Sequence, residues 1–190
     1  MGFGIQIIRT TIHEDSWTET LDLLNCFLDI IHDTSGRYDL PDESLRRMVI
    51  IMSHYLVEIM FWDTINKYLV FKNDPILKES YKKFKQSSFS KVIKIIPQEY
   101  TGVPFDFSVE PFQSLKILIK NRNLLIHNNS TEMIGTAEAA FHSAIKCSQK
   151  IWKHFFPNDS FRYEEWIKGI DLKSTTFQQS YNKLRTHNEK

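Results

Sequence analysis

Apolar residues recur along most of this chain at intervals of three and four, the period of an α-helix. After Ser16-Trp17-Thr18-Glu19, whose spacing fits a capping box, Leu21, Leu24, Phe27, Leu28 and Ile31 share one face. A first helix is therefore expected up to about His32, closed by the turn-forming Asp33-Thr34-Ser35-Gly36. Ahead of it, Phe3 to Ile12 alternates weakly and is rich in β-branched residues, which predicts a short strand or an extended arm. Pro41, Asp42 and Glu43 make a typical helix start, and no Gly or Pro follows until after Phe71. That run predicts a second helix of about 45 Å.

The second helix has an unusual apolar distribution. Met48, Ile51, Met52, Leu56, Ile59, Phe61, Trp62 and Ile65 point in most directions around the wheel, so the helix is central in its domain or shared with a partner chain. Set into this surface are His54 and Glu58, four residues apart and hence on one face.

A lysine-rich third helix is predicted from Pro75 to about Ile96, broken around Ser87-Ser88, and a loop from Pro97 to Phe107. Ser108, with Glu110 and Pro111 in the first turn, starts a fourth helix that runs through His127 and ends at Asn128-Asn129-Ser130. A fifth runs from about Met133 to Phe155, with Ala137, Ala140, Phe141, Ala144, Ile145, Ile151 and Trp152 facing inward, and Pro157 closes it. Beyond it, Phe161, Tyr163 and Trp166 supply packing surface, Thr175 and Thr176 offer caps, and the last residues fray.

The pattern describes an all-α protein, an up-and-down helical bundle of about five main helices with a short extended N-terminal arm and a partly helical C-terminal extension. It reads as one domain over residues 1–190, with a core over about 15–155 and an extension over 156–190.

Composition agrees. Hydrophobic residues are 42% and charged residues 25%, as in ordinary globular proteins rather than disordered ones. Fourteen Phe stand beside only 6 Gly and 6 Pro, too few turn formers for a β-sandwich. No stretch approaches the roughly 18 uninterrupted apolar residues of a membrane span, and Met1 to Gln6 lacks a basic-then-apolar leader. The expectation is a cytoplasmic protein that does not engage a membrane. Cys26 and Cys147 lie in apolar helical stretches with no C-x-x-C spacing, and are expected to be buried, reduced thiols. Without a leader, the Asn-x-Ser/Thr matches at Asn128, Asn129 and Asn158 read as turn and cap chemistry.

A net charge of +1 gives no global attraction for a polyanion, so RNA would need a local patch. Seven lysines against Asp74 and Glu79 between Lys72 and Lys94 offer one. Its ordinary explanation is a solvated helix face; its functional explanation is an RNA-contacting patch, with Lys82, Lys83 and Lys85 joined by Lys120.

The chemistry concentrates in Arg122-Asn123-Leu124-Leu125-Ile126-His127. The neighbours of Arg122 three and four positions away are Leu118, Ile119, Leu125 and Ile126, all apolar. A guanidinium on such a stripe cannot shed its charge and must find a carboxylate, carbonyls or an anionic ligand. Glu58 is the best internal partner, with Asp63 second and His54 on the same face as Glu58. The plain alternative is a structural ion pair that fixes helix register. His127 lies near a helix C-terminus, where the dipole favours its protonated form and where a histidine can also serve only as a cap. About 0.26 Arg-x4-His matches are expected by chance, and about 0.01 when Asn must follow the Arg.

Lys120-Asn121-Arg122-Asn123-Leu124-Leu125-Ile126-His127-Asn128 resembles the signature of the HEPN superfamily, an Arg, then a polar residue, then a His four to six residues beyond the Arg. The layout over roughly residues 15–155 is also similar, with the motif on a late helix and an acidic residue on an early apolar one. The resemblance implies a metal-independent endoribonuclease that acts as a homodimer, without a cofactor, with both copies of the motif facing one cleft. In that scheme Arg122 stabilises the scissile phosphate, His127 is general acid or base, and Asn123 orients the histidine or the phosphate. Such an enzyme would act on RNA as a toxin or defence effector, held in check by an antitoxin or other regulatory partner. Some members carry a Tyr two residues after the His as the target of a nucleotidyltransferase; here Asn129 stands there. The competing expectation is a non-catalytic helical module that binds protein, RNA or a nucleotide, with Arg122 in a structural ion pair.

Geometry constrains the enzyme reading. Residues five apart on a regular helix point about 140° away from each other. Either the helix distorts or ends before His127, or each chain of a two-fold dimer contributes part of the site.

Overall fold

The computed structural model describes residues 3–32, 42–128, 137–170 and 172, with side chains described for 16–32, 43–126, 137–170 and 172. The described residues form seven helices and no strand: α1 (Phe3–His32), α2 (Asp42–Lys72), α3 (Pro75–Phe84), α4 (Phe89–Thr101), α5 (Phe112–Asn128), α6 (Ala137–Phe155) and α7 (Glu164–Ile167). The all-α bundle is as expected. The Asp33–Gly36 turn, the helix end at Asn129-Ser130, the start near Met133 and the caps at Thr175 and Thr176 lie outside the described residues.

The expected N-terminal arm is instead the first part of α1, which is continuous for 30 residues. Extending an existing helix adds one hydrogen bond for each residue fixed, and this outweighs the weak strand preference of Ile and Thr side chains. Ser16 is consequently inside the helix, not at its cap, and its carbonyl accepts a bond from the Thr20 hydroxyl at 2.6 Å.

α2 is the centre of the bundle and packs against α1, α5 and α6. Val49, Ile50, Leu56, Val57, Ile59, Met60, Phe61 and Ile65 are sealed from solvent, which places buried residues on most sides of the helix. By length and composition Glu43–Lys72 could cross a membrane, but 67% of its most apolar window is buried inside this bundle. Its outer face is less covered: Ile51 and Met52 are half-buried, and Met48 and Tyr55 are exposed.

The lysine-rich region divides into α3 and α4 near the anticipated break. The Asp74 carboxylate caps α3 by accepting from the Ile76 amide at 2.7 Å, and Pro75 occupies its first turn. α3 buries no side chain, whereas α4 buries Phe89, Val92, Ile93, Ile96, Pro97 and Tyr100. The expected loop at Pro97 starts later, because α4 runs through this buried proline to Thr101. The apolar face around it offsets the lost amide donor. Gly102, at φ 78°, ends the helix in the left-handed conformation that glycine adopts without a Cβ clash. Ser108 is not the cap of α5 either. Its amide and hydroxyl both donate to Asp106, at 2.8 and 2.6 Å, and the helix starts at Phe112.

Within the expected extension, Phe161, Tyr163 and Ile167 pack into the core, as expected of the first two, whereas Trp166 is exposed. The Trp152 indole donates to the Ser160 carbonyl at 2.8 Å. Tyr163 stacks on Trp17 at 4.4 Å, and Phe161 meets the same indole edge-on at 5.8 Å. Arg162 reaches Asp63 on α2 at 3.0 Å. Of the two cysteines, Cys147 is buried as expected, but Cys26 faces solvent because its position on α1 points away from α2.

Candidate functional site

α5 presents Ser114, Leu115, Leu118, Asn121 and Leu125 to the interior. Arg122 sits beside this line and not on it. Of its four apolar neighbours, Leu118 and Leu125 are in the core, Ile119 is half-buried, and Ile126 is 46% exposed. The arginine stem therefore lies along apolar surface while its head reaches the boundary with water. There Nη1 donates to the Asn123 side-chain oxygen at 3.0 Å, so the two motif residues hold each other.

Across the helix boundary lie His54 and Glu58 of α2. Burial, and after it the positive charge of Arg122, drives the His54 imidazole down from 6.5 to about 4. Burial also pushes the Glu58 carboxyl above its usual value; Arg122 and a hydrogen bond with Trp62 pull the other way without reversing it. His54 Nδ1 is 3.9 Å from Glu58 Oε2, and because the ring is neutral at pH 7 this approach is polar rather than an ion pair. The guanidinium bonds Asn123 rather than forming the expected ion pair with Glu58, and its charge acts on Glu58 and His54 only as an influence secondary to burial.

Aromatic rings extend the site toward α3 and α4. His54 meets Phe89 edge-on at 5.3 Å, and Trp62 meets Tyr81 at 5.8 Å. Through Tyr81 the lysine-bearing α3 is held on the Trp62 side of α2. Lys82, Lys83 and Lys85 are exposed there, with Lys82 also 3.1 Å from Glu79, and Lys120 is exposed on α5.

Asp63, the second candidate partner for Arg122, is placed elsewhere. It lies five residues from Glu58, about 140° around the helix, and its carboxylate engages Arg162. His127 is on α5, which continues as helix through Asn128, so the helix does not end before it. Its side chain lies outside the described residues.

The residue that sequence reasoning passed over is Asn121. Its side chain is wholly buried, and neither its amide nitrogen nor its oxygen has a partner. The signal was present, since Ile117, Leu118, Leu124 and Leu125 surround position 121 at helical spacing just as apolar residues surround Arg122. Among the described residues, no three His, Cys, Asp or Glu side chains are grouped so that they could hold a metal ion. No family model, curated protein or solved structure matches this chain.

Two outcomes follow from this geometry. Asn121→Leu keeps the volume and removes two unsatisfied polar atoms, so the unfolding free energy in urea rises by about 1–3 kcal/mol; a decrease would mean the amide is satisfied in solution. His54 titrates lower in the folded than in the unfolded chain, so its contribution is full above about pH 6.5 and is lost as pH falls toward 4. Between these pH values the stability of the native protein relative to His54→Phe falls by up to about 3 kcal/mol. A pH-independent difference would contradict the assignment.

Proposed function

We propose that this chain is a HEPN-type endoribonuclease that cuts RNA without a metal or other cofactor. The observation that carries the proposal is the placement of Arg122. Its charge is held at the edge of the interior by Asn123, close enough to His54 and Glu58 to perturb both, on the same helix as His127.

RNA supplies its own nucleophile. A 2′-hydroxyl attacks the adjacent phosphorus, the bond to the 5′-oxygen breaks, and a cyclic phosphate and a 5′-hydroxyl result. The reaction needs one group to take a proton, another to give one, and a fixed positive charge for the phosphate oxygens. Arg122 supplies that charge, Asn123 fixes its orientation, and His127 exchanges protons. Residues 122 and 127 diverge by about 140° on a continuous helix, so the proposed site is shared across a two-fold homodimer in which each chain offers its motif. The incompletely covered face of α2, with Met48, Met52 and Tyr55, supports such pairing. Lys82, Lys83, Lys85 and Lys120 would carry the flanking phosphates.

Within this reading the protein is a cytoplasmic toxin or defence effector, controlled by an antitoxin or other regulatory partner. The second reading is a non-catalytic module that binds protein, RNA or a nucleotide, with Arg122 as a structural ion-pair residue for Glu58. The influence of the Arg122 charge on Glu58 supports it, whereas the half-buried position of the guanidinium at the surface boundary supports the enzyme.

Purified chain incubated with single-stranded RNA in excess chelator is expected to cleave it, with Arg122→Ala and His127→Ala each at least about a hundredfold slower while folded. Equal cleavage by all three proteins, or none by the native chain, would refute the proposal.

A further inference from the structure

A concave site lies at the C-terminal end of α2, away from Arg122. The ends of α2, α4 and α6 and the turn at 157–159 enclose a cleft of about 500 Å³, a size typical of small-molecule sites. Glu58, near Arg122, and Lys72, at this cleft, are fourteen residues apart on one helix, a separation of about 21 Å. The two sites are therefore distinct.

The cleft is held open by internal ties. The Tyr68 hydroxyl donates to the Tyr100 carbonyl at 3.0 Å, and Thr101 Oγ1 and His154 Nε2 are 2.9 Å apart. Each tie joins the end of α4 to a different helix, so the walls stand without a ligand. Burial lowers the affinity of His154 for a proton, which leaves a neutral ring as part of the wall.

Its rim combines chemistries that a purely structural groove does not need. Phe71 leans its edge on Phe156 at 6.1 Å yet is 71% exposed. The Lys72 ammonium is 5.5 Å from the Tyr68 ring centre and 5.6 Å from that of Phe71. Asp159 lines the same cleft. An aromatic face beside an ammonium group can stack a flat ring and pair with an attached phosphate, while a carboxylate accepts from ring amino groups. A purely apolar ligand would leave Lys72 and Asp159 without a role. A bare anion would leave the rings without one and would be repelled by Asp159.

We propose that this cleft binds one nucleotide unit, its base stacked on Phe71 and its phosphate paired with Lys72. The unit can be a free mononucleotide or an unpaired nucleotide of RNA, which present the same chemistry. The assignment does not depend on catalysis at Arg122.

The test is amide NMR of the full chain titrated with each of the four ribonucleoside monophosphates, with a short single-stranded RNA, and with inorganic phosphate. Signals from residues 68–72, 100–101 and 154–159 are expected to shift with a nucleotide ligand. Phe71→Ala is expected to weaken binding about tenfold and Lys72→Gln severalfold, with unchanged melting temperatures because both side chains are exposed. Arg122→Ala should leave these shifts intact, which separates this site from the cleavage site. Shifts with the monophosphates identify a free-nucleotide site, and shifts with the oligonucleotide alone identify an RNA contact. The proposal is overturned if no nucleotide ligand shifts these signals, if inorganic phosphate shifts them equally, or if Phe71→Ala binds as the native chain does.

Discussion

α2 carries apolar residues on most of its sides, and the rest of the bundle is arranged to hide most of them. α1, α5 and α6 pack along its length, while the aromatic segment after α6 closes over Trp17 and reaches α2 through Arg162. Burial on this scale is the main stabilising term in such a fold. It also sets the cost of any polar group that α2 carries inward. His54, Glu58 and Asp63 each meet that cost differently. His54 stays neutral, Glu58 is held by Trp62 and the field of Arg122, and Asp63 pairs with Arg162.

The candidate site is a consequence of that arrangement. A guanidinium on α5 lies where the packed interior gives way to water, and its field falls on two titratable groups that burial has already disturbed. In this less polarisable setting its influence is stronger than it would be between exposed side chains. One residue away, Asn121 keeps a buried amide without a partner, a costly feature that a purely structural helix could replace with leucine.

What could be read from the chain follows the range of the interactions. The length and near-central burial of α2 and the division near Ser87-Ser88 follow from local spacing. The N-terminal arm did not, because isolated β-branched residues carry less weight than the continuation of an established helix. Pro97 was misleading for a similar reason, since the apolar face of α4 outweighs one missing donor. The Arg162–Asp63 pair joins residues 99 positions apart, and no pattern along the chain could have shown that Asp63 is engaged there. Cys26 and Ile126 have helical spacing that suits burial, but the neighbouring helices do not cover their faces.

The candidate site depends most on the field of Arg122 reaching the buried face of α2. Its most direct measurement is the titration of the His54 ring by NMR in the native chain and in Arg122→Gln, which removes the charge and keeps a polar side chain. A native midpoint of about 4 and a higher midpoint in the variant are expected. A native midpoint near the 6.5 of an unperturbed histidine, unchanged when Arg122 is neutralised, would contradict this expectation.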